Sequence, residues 1–348
     1  MYIFLTEVFI FAASILIILK NKNFITKHLS LLDIPSERKI HRKPTPILGG
    51  LICFVLLLNF YLITYFYEGH FLNFEYLVIS SVLFFIGIYD DSRDLNAILK
   101  LILVGLCFYF FLINFANFNL IYLNIMSLNI LINTGKFSTI FTILCLLLLI
   151  NASNMIDGIN GLFIGVNTML FIYLFYTYDF DGNFIFSIIF ILLLSFYFNF
   201  KGVYFMGDSG VYLISSIYGL SLIEAYHSAS SSLKSIEEVF ILLIIPGLDM
   251  FRLFLERILN KKNPFKPDRN HFHHLLKKKF NDKKTLVIYL CFVCVGPVFF
   301  QLMIINVLML ILIITISFFI IVFLLTNKID FLDVTISILS CLNTSGLT

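Results

Sequence analysis

Long apolar stretches separated by short polar islands constrain this chain more than any other feature. A bilayer core takes roughly 17–25 apolar residues per helix. That window finds eleven candidates, at about 2–19, 48–67, 77–89, 98–117, 137–152, 161–178, 184–199, 211–226, 238–258, 285–300 and 307–325. Hydrocarbon offers backbone groups no water to bond, so stretches like these are predicted to be helices. Composition agrees: 60% of residues are hydrophobic and 13% charged, against about 25% charged in soluble domains. The prediction is an all-α, polytopic membrane bundle of ten or eleven spans, one integral membrane domain over 1–328 with a short tail at 329–348. The first stretch lacks a basic leader and a small-residue cleavage site, so it reads as a retained span. Six cysteines are scattered through the chain, mostly in apolar runs, which predicts packing and no disulfide framework.

Charge sets the orientation. With the loop from Lys20 to Lys43 placed in the cytoplasm and sides alternated, only Lys136 and Lys234 of the 24 Lys and Arg fall outside. That asymmetry follows the positive-inside rule and puts the N-terminus outside. An even number of spans then separates the polar islands, so all of them are expected on the cytoplasmic face. The third stretch is the shortest, which predicts a helix that ends early to expose Asp90. Pro246-Gly247 inside the ninth predicts a break or kink.

The islands carry the chemistry. Asp90, Asp91 and Asp94 crowd three acids into about one helical turn at a membrane boundary, where carboxylates are costly and tend to be functional. Such density calls for Mg²⁺ or for cations such as Lys100. In Asn151–Leu162, Asn154 and Asp157 share a face at i and i+3, and Gly158 and Gly161 permit a turn; a helix beginning there would favour phosphate. Asp208 lies between Gly207 and Gly210, free to approach a metal. Mg²⁺ prefers one or two protein oxygens plus phosphates and waters, a role Asp208 and Asn154 could fill. Arg269, His271, His273 and His274 form a basic, histidine-rich loop suited to a diphosphate. Lys39 and His41, in the proline-stiffened first loop, suit an anionic substrate at headgroup level. There is no P-loop and no dinucleotide glycine fingerprint, and no nucleic-acid partner is expected.

These motifs, in this order from about Pro35 to His274, resemble the polyprenyl-phosphate N-acetylhexosamine-1-phosphate transferases. The His-Phe-His-His run looks like the His-Ile-His-His form of the bacterial undecaprenyl-phosphate GlcNAc-1-phosphate enzymes. The resemblance implies transfer of a sugar-1-phosphate from a UDP-N-acetylhexosamine to undecaprenyl phosphate at a bacterial inner membrane, with the active site facing the cytoplasm. It implies Mg²⁺, or Mn²⁺ in its place, and is compatible with a homodimer surrounded by membrane lipid. By the resemblance, Asp90 and Asp91 contact the lipid phosphate or act as base, and Asp157 joins them as a catalytic acid. Lys100 lies near the phosphates, Asn154 and Asp208 hold the metal, and Asn160 contacts the nucleotide. Lys39, His41, Asp94, Arg269, His271, His273 and His274 complete the substrate site. Position 160 is Asn where close bacterial relatives often have Asp, which leaves the sugar open. The rival reading is an ion- or proton-coupled transporter built on the same acids. Transport needs acids near the midplane and an outward path, whereas these acids cluster at span ends on one side.

Overall fold

The computed structural model describes residues 2–35, 43–177, 182–228, 235–263, 270–302 and 306–326. Each of the eleven apolar stretches becomes a long helix: α1 (Tyr2–Lys20), α3 (Gly49–Glu68), α4 (Phe74–Arg93), α5 (Ala97–Asn114), α6 (Ser138–Ile156), α7 (Leu162–Thr177), α8 (Gly182–Phe200), α9 (Gly207–His227), α10 (Ile236–Leu259), α12 (Asp282–Gln301) and α13 (Val307–Thr326). Two short helices, α2 (Lys22–Leu29) and α11 (Phe272–Lys279), lie in polar connections. By length and apolarity, 7 helices could each cross a membrane among the described residues. The other long ones, α4, α7, α9 and α10, carry acids or are shorter. The predicted all-α polytopic architecture holds.

The chain forms two compact units, Met1–Leu242 and Leu243–Thr348. In the first, α9 is the central helix. It is buried almost continuously from Ser209 to Ile223 and packs against α3, α4, α6 and α7. Its small residues, among them Ser209, Ser215, Ser216 and Ser221, let neighbouring backbones approach, as apolar helices in lipid require when no hydrophobic gradient drives them together. Phe54 of α3 stacks on Phe84 of α4 at 4.0 Å. The entry to α9 is tied to the start of α3, where Phe205 N–H donates to Pro46 O (2.8 Å) and Gly49 N–H to Phe205 O (2.9 Å). The strands are minor. β1 (Leu32–Asp33) pairs with β2 (Thr45–Pro46), and β3 (Tyr122–Ile125) with β4 (Ile130–Asn133), both antiparallel. The second hairpin is anchored by Glu237, which accepts from Ser127 N–H (2.9 Å) and Oγ (2.6 Å). In the second unit α11, α12 and α13 close around fully buried Phe272, whose ring meets Tyr289, Phe292 and Phe318.

Three local expectations are corrected. Helix α4 does not stop before Asp90 but continues to Arg93 and ends at Asp94, whose φ of 51° makes a left-handed cap. The acids lower local hydropathy without breaking the helix. Asn154 and Asp157 do not lie on one helix: residues 151–156 are the last turns of α6, Asp157 lies just past its end, and the helix start in this segment is that of α7 at Leu162. The break expected at Pro246 is absent: α10 runs continuously from Ile236 to Leu259, since one missing N–H removes a single bond from a 24-residue helix.

Candidate active site

The site begins with a close helix crossing. Gly87 on α4 faces the first turn of α9, where an added Cβ would run into the backbone of Ser209. Only a residue without a side chain permits this contact. It brings Asp90 and Asp91, one turn further along α4, against the start of α9. There Gly207 takes φ +75°, and a Cβ on it would lie 2.6 Å from Asp91 Oδ2.

The first N–H groups of a helix lack intrahelical acceptors and carry partial positive charge. Two acids from other elements satisfy them here. Asp91 accepts from Asp208 N–H (2.7 Å), Ser209 N–H (3.1 Å) and Ser209 Oγ (2.7 Å). Asp157, just past the end of α6, accepts from Gly207 N–H. The start of α9 is thus already occupied by carboxylates.

Beside this cap sits a charged triad. The Lys100 ammonium, from the first turn of α5, lies 2.7 Å from Asp90 Oδ2 and 3.1 Å from Asp208 Oδ2. Asp90 also accepts from Leu95 N–H (2.9 Å) and from Tyr212 Oη (3.3 Å). Asp90 is nearly inaccessible, at 3% exposed, and lies just beyond the apolar part of its helix. Four carboxylates and one ammonium therefore gather at the start of α9, two of the acids on Lys100 and two on the helix amides.

Their titration reflects that imbalance. Burial pushes Asp208 up to about 8, helped by its hydrogen bond with Asp90 and only partly opposed by Lys100. Burial likewise raises Asp91 to about 6 against the hydrogen bonds from Ser209 and Asp208. It raises Asp157 well above the carboxylate range, with Asp208 and Asp91 adding to the effect. Asp90 goes the other way. Burial opposes its charge, but hydrogen bonds with Asp208, Lys100 and the Leu95 amide hold it below the ordinary range.

A deficit of positive charge among hard oxygen donors is the environment of Mg²⁺ or Mn²⁺. Among the described residues no three His, Cys, Asp or Glu side chains converge as a closed cage. Mg²⁺ does not need one, because it keeps waters and shares its shell with substrate phosphates. Asp208 fits the carboxylate part of that shell, while Asp90 is engaged by Lys100, the Leu95 amide and Tyr212. Asn154 is half-buried in the last turn of α6, three residues before Asp157.

Of the other sequence-predicted residues, Asp94 is the exposed cap of α4. Asn160 lies in the α6–α7 turn, with its amide close to Gly202. Lys39, His41 and Arg269 lie outside the described residues. His271, His273 and His274 belong to the second unit, at the start of α11. Sequence reading missed Tyr212, one turn beyond Asp208, and Asp249 of α10. Asp249 is buried at 4% exposed and meets His271 Nδ1 at 3.2 Å. A lone acid in an apolar stretch is itself a functional signal, and applied to 238–258 it would have found Asp249.

Residues 73–226, from α4 through α9, match the family model "Glycosyl transferase family 4". The chain is similar to the undecaprenyl-phosphate alpha-N-acetylglucosaminyl 1-phosphate transferase of Escherichia coli, 28% identical over 283 residues covering 76% of this chain and 74% of that protein. The protein of the same name from Thermotoga maritima is 28% identical over 269 residues, 76% of this chain and 79% of the relative. The one from Salmonella typhi is 27% identical over 300 residues, 82% and 78% of the two chains. The matched region holds Asp90, Asp91, Lys100, Asp157 and Asp208, so the similarity to glycosyl transferase family 4 covers the acids and the lysine gathered at the start of α9.

Proposed function

We propose that this protein transfers N-acetylhexosamine-1-phosphate from a UDP-sugar to undecaprenyl phosphate at the cytoplasmic face of a bacterial inner membrane. A lipid phosphate oxygen attacks the β-phosphorus of the UDP-sugar. The bond from that phosphorus to the bridging oxygen breaks, UMP leaves, and a lipid diphosphate-sugar remains. The observation that carries the reading is the Asp90–Lys100–Asp208 triad set against the capped start of α9, in the region shared with the relatives.

Phosphoryl transfer asks a protein mainly for positioning and charge neutralisation. A phosphate monoester has a second pKa of about 6, so the attacking phosphate is already largely dianionic at neutral pH. The acids are therefore assigned to orientation more than to deprotonation, and attack is direct, with no phospho-enzyme. Asp91 supports this assignment, since three donors already engage its two oxygens. Lys100 neutralises phosphate charge while bridging Asp90 and Asp208. Asp208 and Asn154 would hold Mg²⁺, which would neutralise the diphosphate and the departing UMP. Asn160 is assigned to the nucleotide and the histidine loop to the diphosphate.

The test is UMP release by the purified protein with undecaprenyl phosphate, Mg²⁺ and a panel of UDP-sugars. Release is expected with a UDP-N-acetylhexosamine, stopped by EDTA and restored by Mg²⁺ or Mn²⁺. No release with any donor would overturn the reading. Cation uptake into proteoliposomes without UMP release would replace it with the transporter.

A further inference from the structure

We propose that Asp249 is the positioning residue of the histidine loop, holding His271 so that only its Nε2 is presented to the diphosphate of a nucleotide sugar. This rests on the transferase reading above.

The carboxylate of Asp249 does three things at once. Its Oδ2 meets His271 Nδ1 at 3.2 Å. Both of its oxygens take Phe272 N–H, at 3.1 and 3.0 Å. Its Oδ1 pairs with Arg252 Nη2 at 2.8 Å. Phe272 opens α11 and its own N-cap, His271, makes no side-chain cap bond, so Asp249 caps the helix from α10. The same Arg252 Nη2 reaches Asn270 O at 2.6 Å. Residues 270, 271 and 272 are therefore held in succession by two side chains one turn apart on α10.

A carboxylate can only accept. Its partner nitrogen Nδ1 must carry the proton, which leaves Nε2 as the ring atom for a ligand. Nε2 of a neutral ring with Nδ1–H cannot donate to a phosphate oxygen, whereas an imidazolium can.

The surrounding groups are Asp249 and Arg252 from α10, His273, His274 and Lys277 from α11, and Tyr289 from α12; α13 brings no titratable side chain. His273 lies nearly parallel to the His271 ring, centroids 5.8 Å apart. Burial first, then His274 and His271, hold His273 well below the usual imidazole range. His273 is buried, and His271 is the ring that Asp249 meets.

The experiment compares kcat/KM against pH for wild type, Asp249→Asn, Asp249→Glu, His271→Ala and the double variant Asp249→Asn/His271→Ala. Asparagine keeps a cap oxygen for Phe272 N–H, so α11 should still form, and a thermal transition in detergent checks it. Asp249→Asn should lower kcat/KM by about 10²-fold, the scale of a small misplacement. Its alkaline limb should move to lower pH, because a negative charge beside the ring is removed. Asp249→Glu should restore the limb. In the His271→Ala background the Asn change should cost less than about 3-fold, since residues acting as one unit are not additive. A wild-type limb in Asp249→Asn, or additive losses, would overturn the proposal. Nitrogen NMR of labelled histidine reads the pairing without turnover: a protonated, hydrogen-bonded Nδ1 on His271 that Asp249→Asn abolishes. If that signal is present while wild type releases no UMP, the transferase reading has failed and the pairing has not. If the signal is absent, the positioning role is gone whatever the activity.

Discussion

Lys100 is the single cation between two acids, 2.7 Å from Asp90 and 3.1 Å from Asp208. Lys100→Met keeps the length and removes the charge. Losing one preorganised positive partner in a transition state costs about 10²–10³ in rate, so UMP release should fall by that order. The fold should survive, because Asp208 already tends toward its neutral form. A melting transition near wild type together with the loss of turnover would separate charge from scaffold. Asp91 makes the complementary case. Its oxygens close the start of α9, so Asp91→Ala should destabilise by about 0.5–2 kcal/mol, the worth of an N-cap. Asp91→Asn, which keeps an acceptor, should recover most of that in a thermal unfolding assay in detergent. Equal damage from both substitutions would mean the cap is not what Asp91 supplies to stability. The motif Asp90-Asp91 was legible in the sequence, but the division between its members was not. Adjacent residues on a helix point in different directions, and which one meets Lys100 and which one meets α9 depends on the helix packed alongside.

At the scale of elements, the crossing of α4 and α9 decides whether a site exists at all. Gly87 and Gly105 both lie inside long helices, and composition does not distinguish them. At Gly87 an added Cβ meets backbone atoms of Ser209, whereas at Gly105 the nearest atom is Leu147 Cδ1 at 3.6 Å, an ordinary contact. Gly87→Ala should force the helices apart, at a cost of about 1–3 kcal/mol for overpacking, and should reduce turnover by misplacing Asp90. Gly105→Ala should be neutral or stabilising, by up to about 1 kcal/mol from helix propensity. Thermal transitions and UMP release on the two variants check the pair. Helix α4 also shows why element boundaries escaped sequence reading. Hydropathy ends at Tyr89 while the helical backbone continues to Arg93, because hydrophobicity reports the solvent a segment suits and hydrogen bonding reports its conformation. The β3–β4 hairpin was invisible for a related reason. Its residues Tyr122–Ile125 and Ile130–Asn133 are apolar without strict alternation, and its anchor, Glu237, lies more than a hundred residues away.

For the whole molecule the sequence makes a claim about sides. With the N-terminus outside, the basic connections holding Lys43 and Lys279 are cytoplasmic, and the hairpin tip near Ser127 is on the opposite face. In a variant without its six native cysteines, single cysteines replacing Lys43 and Lys279 should react with an impermeant thiol reagent only in inverted membranes. One replacing Ser127 should react only in right-side-out membranes. Labelling of Lys43→Cys and Lys279→Cys from opposite faces would break the parity on which the proposed common surface depends. The chain's own pattern of apolar runs and basic loops sufficed to specify a helical membrane protein, its number of long helices and the segments carrying reactive side chains. Desolvating backbone and charge is so costly in hydrocarbon that these choices are made locally, residue by residue. Tertiary structure alone decided that Asp91 and Asp157 cap α9, that Lys100 bridges Asp90 and Asp208, and that Asp249 holds His271. Each of these pairings joins residues on different helices or turns, and which of them come within hydrogen-bonding distance is settled only by how those elements pack.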